Sequence, residues 1–261
     1  MSEGDSPGRI PKAEALPGST DETIVIEPLA VNEHPFDRVS FDGFERSVSV
    51  ERFDSYLRSA GGDRNGALRL YALNSAVSTV LFPTFQNLEI AIRNAFHHSL
   101  SDRYGEWWFD QLGVITDVFQ RQKIADAQIQ LVKEGKPLTP GRVVASLAFG
   151  FWTSCLGARY EDTLWRRGGL SAAFAAVGAK PKRNTVNRQL TPIRLLRNRI
   201  AHHEPILHLN LPKHRQSALD LTEACAPALA EWTKEHCAFD ETYDPDLART
   251  FMTPGAEPKP A

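Results

Sequence analysis

The sequence predicts an all-α fold, a helical bundle with additional helices, on three observations. Apolar residues recur at helical spacing, as in Phe85, Leu88, Ile92 and Phe96, and again in Ile193, Leu196 and Ile200. Residues that start helices stand at the right places: Ser49 before VERF, and Thr139 before Pro140. Strand signals are weak throughout. TIVIEPLAV at 23–31 suits at most a short strand or a docking segment.

Composition narrows the class. The chain has 261 residues, 42% of them hydrophobic, enough for a substantial core in one large domain or two small ones. A formal net charge of −2 gives no global basic field, so any nucleic-acid contact must come from a local patch. Cys155, Cys225 and Cys237 lie far apart and form no CxxC pair, which suits reduced thiols better than a disulfide framework. The N-terminus shows no signal-peptide h-region. The longest apolar run, VVASLAFGFW at 143–152, is too short to span a bilayer. A soluble cytoplasmic protein with no membrane partner is the expectation.

Taken in order, residues 1–38 are rich in Gly, Pro, Ser and acids and are predicted to form a disordered tail. A helical domain follows over 39–245, and 246–261 is predicted to be a second disordered tail. SVERFDSYLRSA predicts a short helix capped by Ser49 and ended by GGDRNG. A long helical region runs from about Ala67 to Tyr104, and Pro83 is expected to kink or divide it. YGEWW punctuates the chain before a helix over 115–134. TPGRVVASLAFGFWTSCLG reads as one helix, apolar all round and the most buried. RRGGL and GAKPKRN read as loops, 184–203 as a helix, His208 and His214 as part of a connection, and 214–236 as the last long helix. Trp107, Trp108, Trp152 and Trp165 are expected to be core or interface anchors.

Two segments pair Arg-Asn with a following His pair: RNAFHH at 93–98 and RNRIAHHEP at 197–205. In the second, Ile193, Leu196 and Ile200 define a core face. At about 100° per residue, Asn198 falls opposite that face. Arg194, Asn198 and His202 then form an outer stripe with Arg197 on its flank, while His203 points toward the core side. Pro205 must end the helix, which puts both histidines in its last turn. The helix dipole favours a cation there by roughly 0.3–1 kcal/mol. Arg, Asn and His on one exposed stripe are parts that can cleave RNA without a metal. An imidazole takes the 2′-OH proton, Arg stabilises the phosphorane charge, and an imidazolium protonates the leaving oxygen. The pattern alone favours a solvated basic helix end, since His and Arg are common in last turns.

In the first segment Glu89, Arg93 and His97 share a face, with Asn94 and His98 in the neighbouring row. Glu to Arg at i, i+4 is an ordinary helix pair worth a few tenths of a kcal/mol. This segment reads as support for a site or interface rather than as the chemistry itself. No His or Cys spacing suits zinc and no phosphate-binding loop is present, so neither a metal nor a cofactor is assigned.

These residues carry a resemblance. LRLYALNSAVSTVLFPTFQNLEIAIRNAFHHSLSDRYGEWW, GRVVASLAFGFW and LRNRIAHHEPI resemble, in that order, three segments of the Abi-like (abortive infection) proteins, covering about residues 65–210. That group belongs to the HEPN superfamily of all-helical domains, many of them metal-independent ribonucleases with Arg, a polar residue, and a His four to six positions beyond the Arg. The resemblance implies a phage-defence or toxin-type endoribonuclease with Arg197, Asn198 and either His202 or His203 as catalytic residues. It implies RNA-binding or supporting roles for Glu89, Arg93, Asn94, Arg194 and Arg199. It also implies a homodimer with two motifs meeting in a cleft, and an RNA or protein antitoxin as partner. The alternative is a non-catalytic RNA-binding or protein-interaction module of the same fold.

Overall fold

Two short helices open the fold, α1 (Phe41–Val48) and α2 (Val50–Ser59). Ser49 separates them at φ 72° and caps α2 by accepting from the Arg52 N–H, as its position before VERF predicts. Asp63 then accepts from the N–H groups of Asn65 and Gly66 and starts α3 (Arg64–Tyr104). The computed structural model describes residues 41–175 and 181–245, together with Arg249. The TIVIEPLAV segment and the expected tails lie outside those residues, apart from Arg249. All described residues belong to one compact unit, Val31–Ala261, and no strand occurs among them. The fold is all-α.

Pro83 does not divide α3. The helix runs unbroken for 41 residues and begins at Arg64, a turn before the expected start. A proline inside a helix costs about 3 kcal/mol, through a lost N–H and a clash with the preceding turn. Tertiary packing offsets it. Leu81, Thr84 and Phe85 beside the proline are fully buried. The Cys237 thiol, from the far end of the domain, donates to the Val80 carbonyl at 3.2 Å.

Two other expected helices are broken. α4 (Val118–Lys133) follows the plan, capped by Asp117. The most buried segment, however, forms α5 (Pro140–Ser146) and α6 (Phe149–Ser154) instead of one helix. The buried Trp152 indole N–H donates to the Leu147 carbonyl at the break, taking up an acceptor that a continuous helix would use. After a π-helical turn over Glu161–Arg167 come α7 (Leu170–Ala173) and α8 (Arg183–Ala201). The expected last helix divides at Pro227 into α9 (Leu211–Cys225) and α10 (Pro227–Glu235), followed by α11 (Phe239–Thr242). His214 therefore lies on α9, not in the connection.

α2 and α5 through α11 all pack on α3. The main core includes Phe85, Phe96, Trp108, Trp152, Tyr160 and Phe174, with Phe96 edge-on to both Trp152 and Phe174. Trp165 is buried as expected, whereas Trp107 is exposed. A smaller core holds Phe53 and Tyr56 of α2 against Ala67, Leu68 and Leu70 of α3, and Leu207 packs against both cores. No helix among the described residues is long and apolar enough to cross a membrane.

The GGL segment, which reads as a mere turn, is where the π-helical turn meets α3. A Cβ on Gly168 would sit 2.5 Å from the Leu164 carbonyl oxygen and 2.7 Å from Leu100 Cδ2. Only a hydrogen fits against that backbone. Gly168→Ala is expected to lower stability by about 1–3 kcal/mol, as other overpacked sites do. Urea denaturation of the two proteins checks this; an unchanged midpoint would show that the turn relaxes at no cost.

Candidate functional site

α8 buries Val186, Leu190, Ile193, Leu196 and Ile200, the face that the apolar spacing requires. It runs antiparallel to α3: Arg197 meets Glu89, while the residues after α8 meet Asn74, fifteen positions earlier on α3. The contact thus brings Glu89, just before the first Arg-Asn segment, to the start of the second, and from there the two His pairs run in opposite directions. Arg197 Nη2 donates to Glu89 Oε2 at 3.2 Å, and both side chains are more than two-thirds buried. The pair anticipated within α3, Glu89 with Arg93, is thus replaced by one between helices.

The break between α5 and α6 contributes to this contact. It leaves the Phe149 N–H at the start of α6, free to act on the Glu89 carboxylate and lower its pKa. Burial nevertheless raises the Glu89 pKa above its ordinary value. The charges of Arg197 and Arg93 and the Phe149 N–H oppose the rise without cancelling it. Arg93 is half-buried, and its Nε is enclosed without a hydrogen-bond partner. Asn94 is exposed.

The C-terminus of α8 departs from the expectation for His203. The helix ends at Ala201; His202 is the C-cap, and His203 has φ 56°. The His203 N–H donates to Ile200 O at 3.0 Å and the Glu204 N–H to Arg199 O at 2.9 Å. This is a Schellman motif with histidine at the left-handed position that glycine usually takes. Arg199 and Glu204, 3.9 Å apart, form an ion pair across it, where such motifs commonly have an apolar contact. His203 does not point toward the core: both histidines are exposed. Extending the helical angle to residue 203 fails because Pro205 forces the chain to turn, and the reversal at His203 delivers Ile206 into the core instead.

Two residues the sequence reading passed over hold this turn. Asn74 is buried in the apolar stripe of α3; its Oδ1 accepts from the Ile206 N–H at 2.8 Å, and its Nδ2 donates to Glu204 O at 3.3 Å. A lone asparagine between Leu73 and Val77 was the available signal. Arg52 of α2 donates from Nη1 to His202 O at 3.1 Å and His203 O at 3.0 Å. Nothing in the sequence marked it.

The remaining groups divide clearly. The side chains of Arg194, Asn198, His202 and His203 make no hydrogen bond or ion pair with any described residue. Arg194 and Asn198 are half-buried on the outer stripe, where Leu195, 44% exposed, lies between them in sequence. Arg199 also reaches His208 Nε2, and burial together with the Arg199 charge lowers the pKa of His208. His97 is structural: its Nδ1 accepts from the Trp108 indole N–H at 3.1 Å, and burial, helped by His98, lowers its pKa. A cavity of about 540 Å³, lined by Phe119, Lys123, Ser154 and Arg159 among others, contains none of these residues. No family model, curated protein or solved structure matches the chain.

Two expectations follow from this geometry. His203→Gly should stabilise the protein by about 0.5–1 kcal/mol, since the left-handed conformation costs an L side chain about 1–2 kcal/mol and glycine returns part of that as chain entropy. Thermal denaturation checks it, and destabilisation would mean that the imidazole makes a stabilising contact. Glu89 has a folded pKa above its ordinary 4.5, so its contribution to stability is fully present below that value and is lost as pH rises through the higher one. Glu89→Gln does not titrate. Wild type should therefore lose stability relative to Glu89→Gln as pH rises from below 4.5 toward neutrality, read from urea midpoints across pH.

Proposed function

We propose that this chain is a metal-independent endoribonuclease of HEPN type, acting in the cytoplasm as a phage-defence or toxin-type protein. One observation supports this above the others. At the end of a single helix a guanidinium is held in a fixed orientation by Glu89, and two exposed imidazoles stand beyond it without a described partner. Arg197 has Nε and Nη1 left for a phosphate oxygen, since only Nη2 bonds a described residue. Arg93, Arg194 and Arg199 enrich the neighbourhood in positive charge, a local patch on a chain of net charge −2.

In this reading one imidazole removes the ribose 2′-OH proton. The 2′-oxygen attacks the adjacent phosphorus, the bond to the 5′-oxygen breaks, and an imidazolium gives that oxygen a proton. The products are a 2′,3′-cyclic phosphate and a 5′-hydroxyl. Arg197 neutralises charge on the non-bridging oxygens, and Asn198 orients the phosphate or an imidazole. His202 and His203 both remain candidates for the proton-transfer role. A homodimer with its axis beside Asn198 brings a second motif to the same phosphate, and Leu195 gives that axis an apolar anchor on the outer stripe. An RNA or protein antitoxin is the partner class this activity calls for.

The second reading is a non-catalytic RNA-binding or protein-interaction module. The Arg197–Glu89 pair favours it, because a half-buried ion pair between two helices also serves the fold. Incubating the purified protein with RNA in excess chelator separates the two. Fragments ending in 2′,3′-cyclic phosphate support the nuclease, and intact RNA supports the module. Arg197→Ala and His202→Ala are each expected to lower cleavage by roughly 100-fold or more while remaining folded. Full activity in both folded variants would remove the catalytic assignment.

A further inference from the structure

We infer that Arg52, on a helix outside the two Arg-Asn segments, is a positioning residue for the His202–His203 pair. The N–H groups of His202, His203 and Glu204 bond back to α8, but the His202 and His203 carbonyls have no other donor among the described residues. α8 has ended, His203 takes a conformation that L residues avoid, and neither imidazole is anchored to a described residue. The last carbonyls of a helix lack intrahelical donors. Arg52 donates from one nitrogen to the C-cap carbonyl of His202 and to that of His203 beyond it, at 3.1 and 3.0 Å, and brings a cation to the negative end of the helix dipole. A peptide plane cannot rotate while its carbonyl is held, so the direction in which each histidine leaves the chain is restricted.

The contact is built on both sides. Arg52 stands one residue before Phe53, which is fully buried in the smaller core. Leu207, four residues beyond His203, packs against that same core. Asn74 fixes Glu204 and Ile206 between them. α2 thus reaches the turn through Arg52 at its start and through Leu207 at its end. This gives α2 a role in the site, although it contributes no reacting group.

The effect on catalysis rests on the ribonuclease reading; the effect on the histidines does not. The test uses the full chain labelled with ¹³C-histidine, with the His202 and His203 signals assigned by single substitutions. Arg52→Met keeps the length of the stem and removes the donors. Arg52→Lys keeps a cation with several donors. In Arg52→Met the His202 and His203 ring signals are expected to shift and broaden while those of His97 and His214 stay in place. RNA cleavage should fall roughly 10-fold in kcat with KM within about twofold, and Arg52→Lys should restore much of both. Unchanged His202 and His203 signals in Arg52→Met overturn the inference. So does a rise in KM at constant kcat, which would put Arg52 on the RNA itself. If the wild type cuts no RNA but the signals still move, the ribonuclease reading falls and the positioning role stands.

Discussion

A helix of 41 residues is about 60 Å long, and α3 has to bury one apolar stripe along nearly all of that length. No single partner can cover it. Eight other helices therefore pack on it in turn, and their order along α3 sets which parts of the sequence become neighbours. The unbroken passage through Pro83 matters for this reason. A division there would release the half carrying Asn74 from the half carrying Glu89. α8 and the turn after it are registered against α3 at those two residues, so the continuity of α3 fixes the frame of the candidate site.

The two registering contacts are different in kind. Asn74 is an amide wholly within the core, and each end of its side chain meets a backbone group. Both sides of the exchange are neutral and satisfied, a favourable way to bury polarity. Glu89 and Arg197 are charged and only partly shielded. The raised Glu89 pKa shows that the attraction does not fully repay desolvation. As a source of stability the pair is weak, but as a constraint on the guanidinium it is strong. The carboxylate holds Nη2 of Arg197 and leaves Nε and Nη1 over.

Two non-glycine residues among those described have positive φ, Ser49 and His203, and the second stands where the chain turns after α8. Histidine at a left-handed position is a local cost, and Arg52, Asn74 and the burial of Ile206 together hold it in place. Glycine would relax the turn and remove an imidazole from it. That trade, stability for a side chain at the tip of a helix, is one that functional turns often make.

Much of this was legible in the sequence. The helical class, the Ser49 cap, the core face of α8 and the end of α8 before Pro205 follow from spacing and from proline and cap chemistry, which act within a few residues. Those interactions are local, so one segment suffices to determine them. The continuity of α3 through Pro83 and the partners of Glu89 were decided elsewhere. In both cases a distant group outweighed the local preference: Cys237 at Val80 and Arg197 at Glu89. Arg52 is the clearest example, an exposed arginine whose two acceptors lie about 150 residues away. A sequence determines which faces must be buried. Only the packing of those faces determines which polar groups, brought along with them, come to meet.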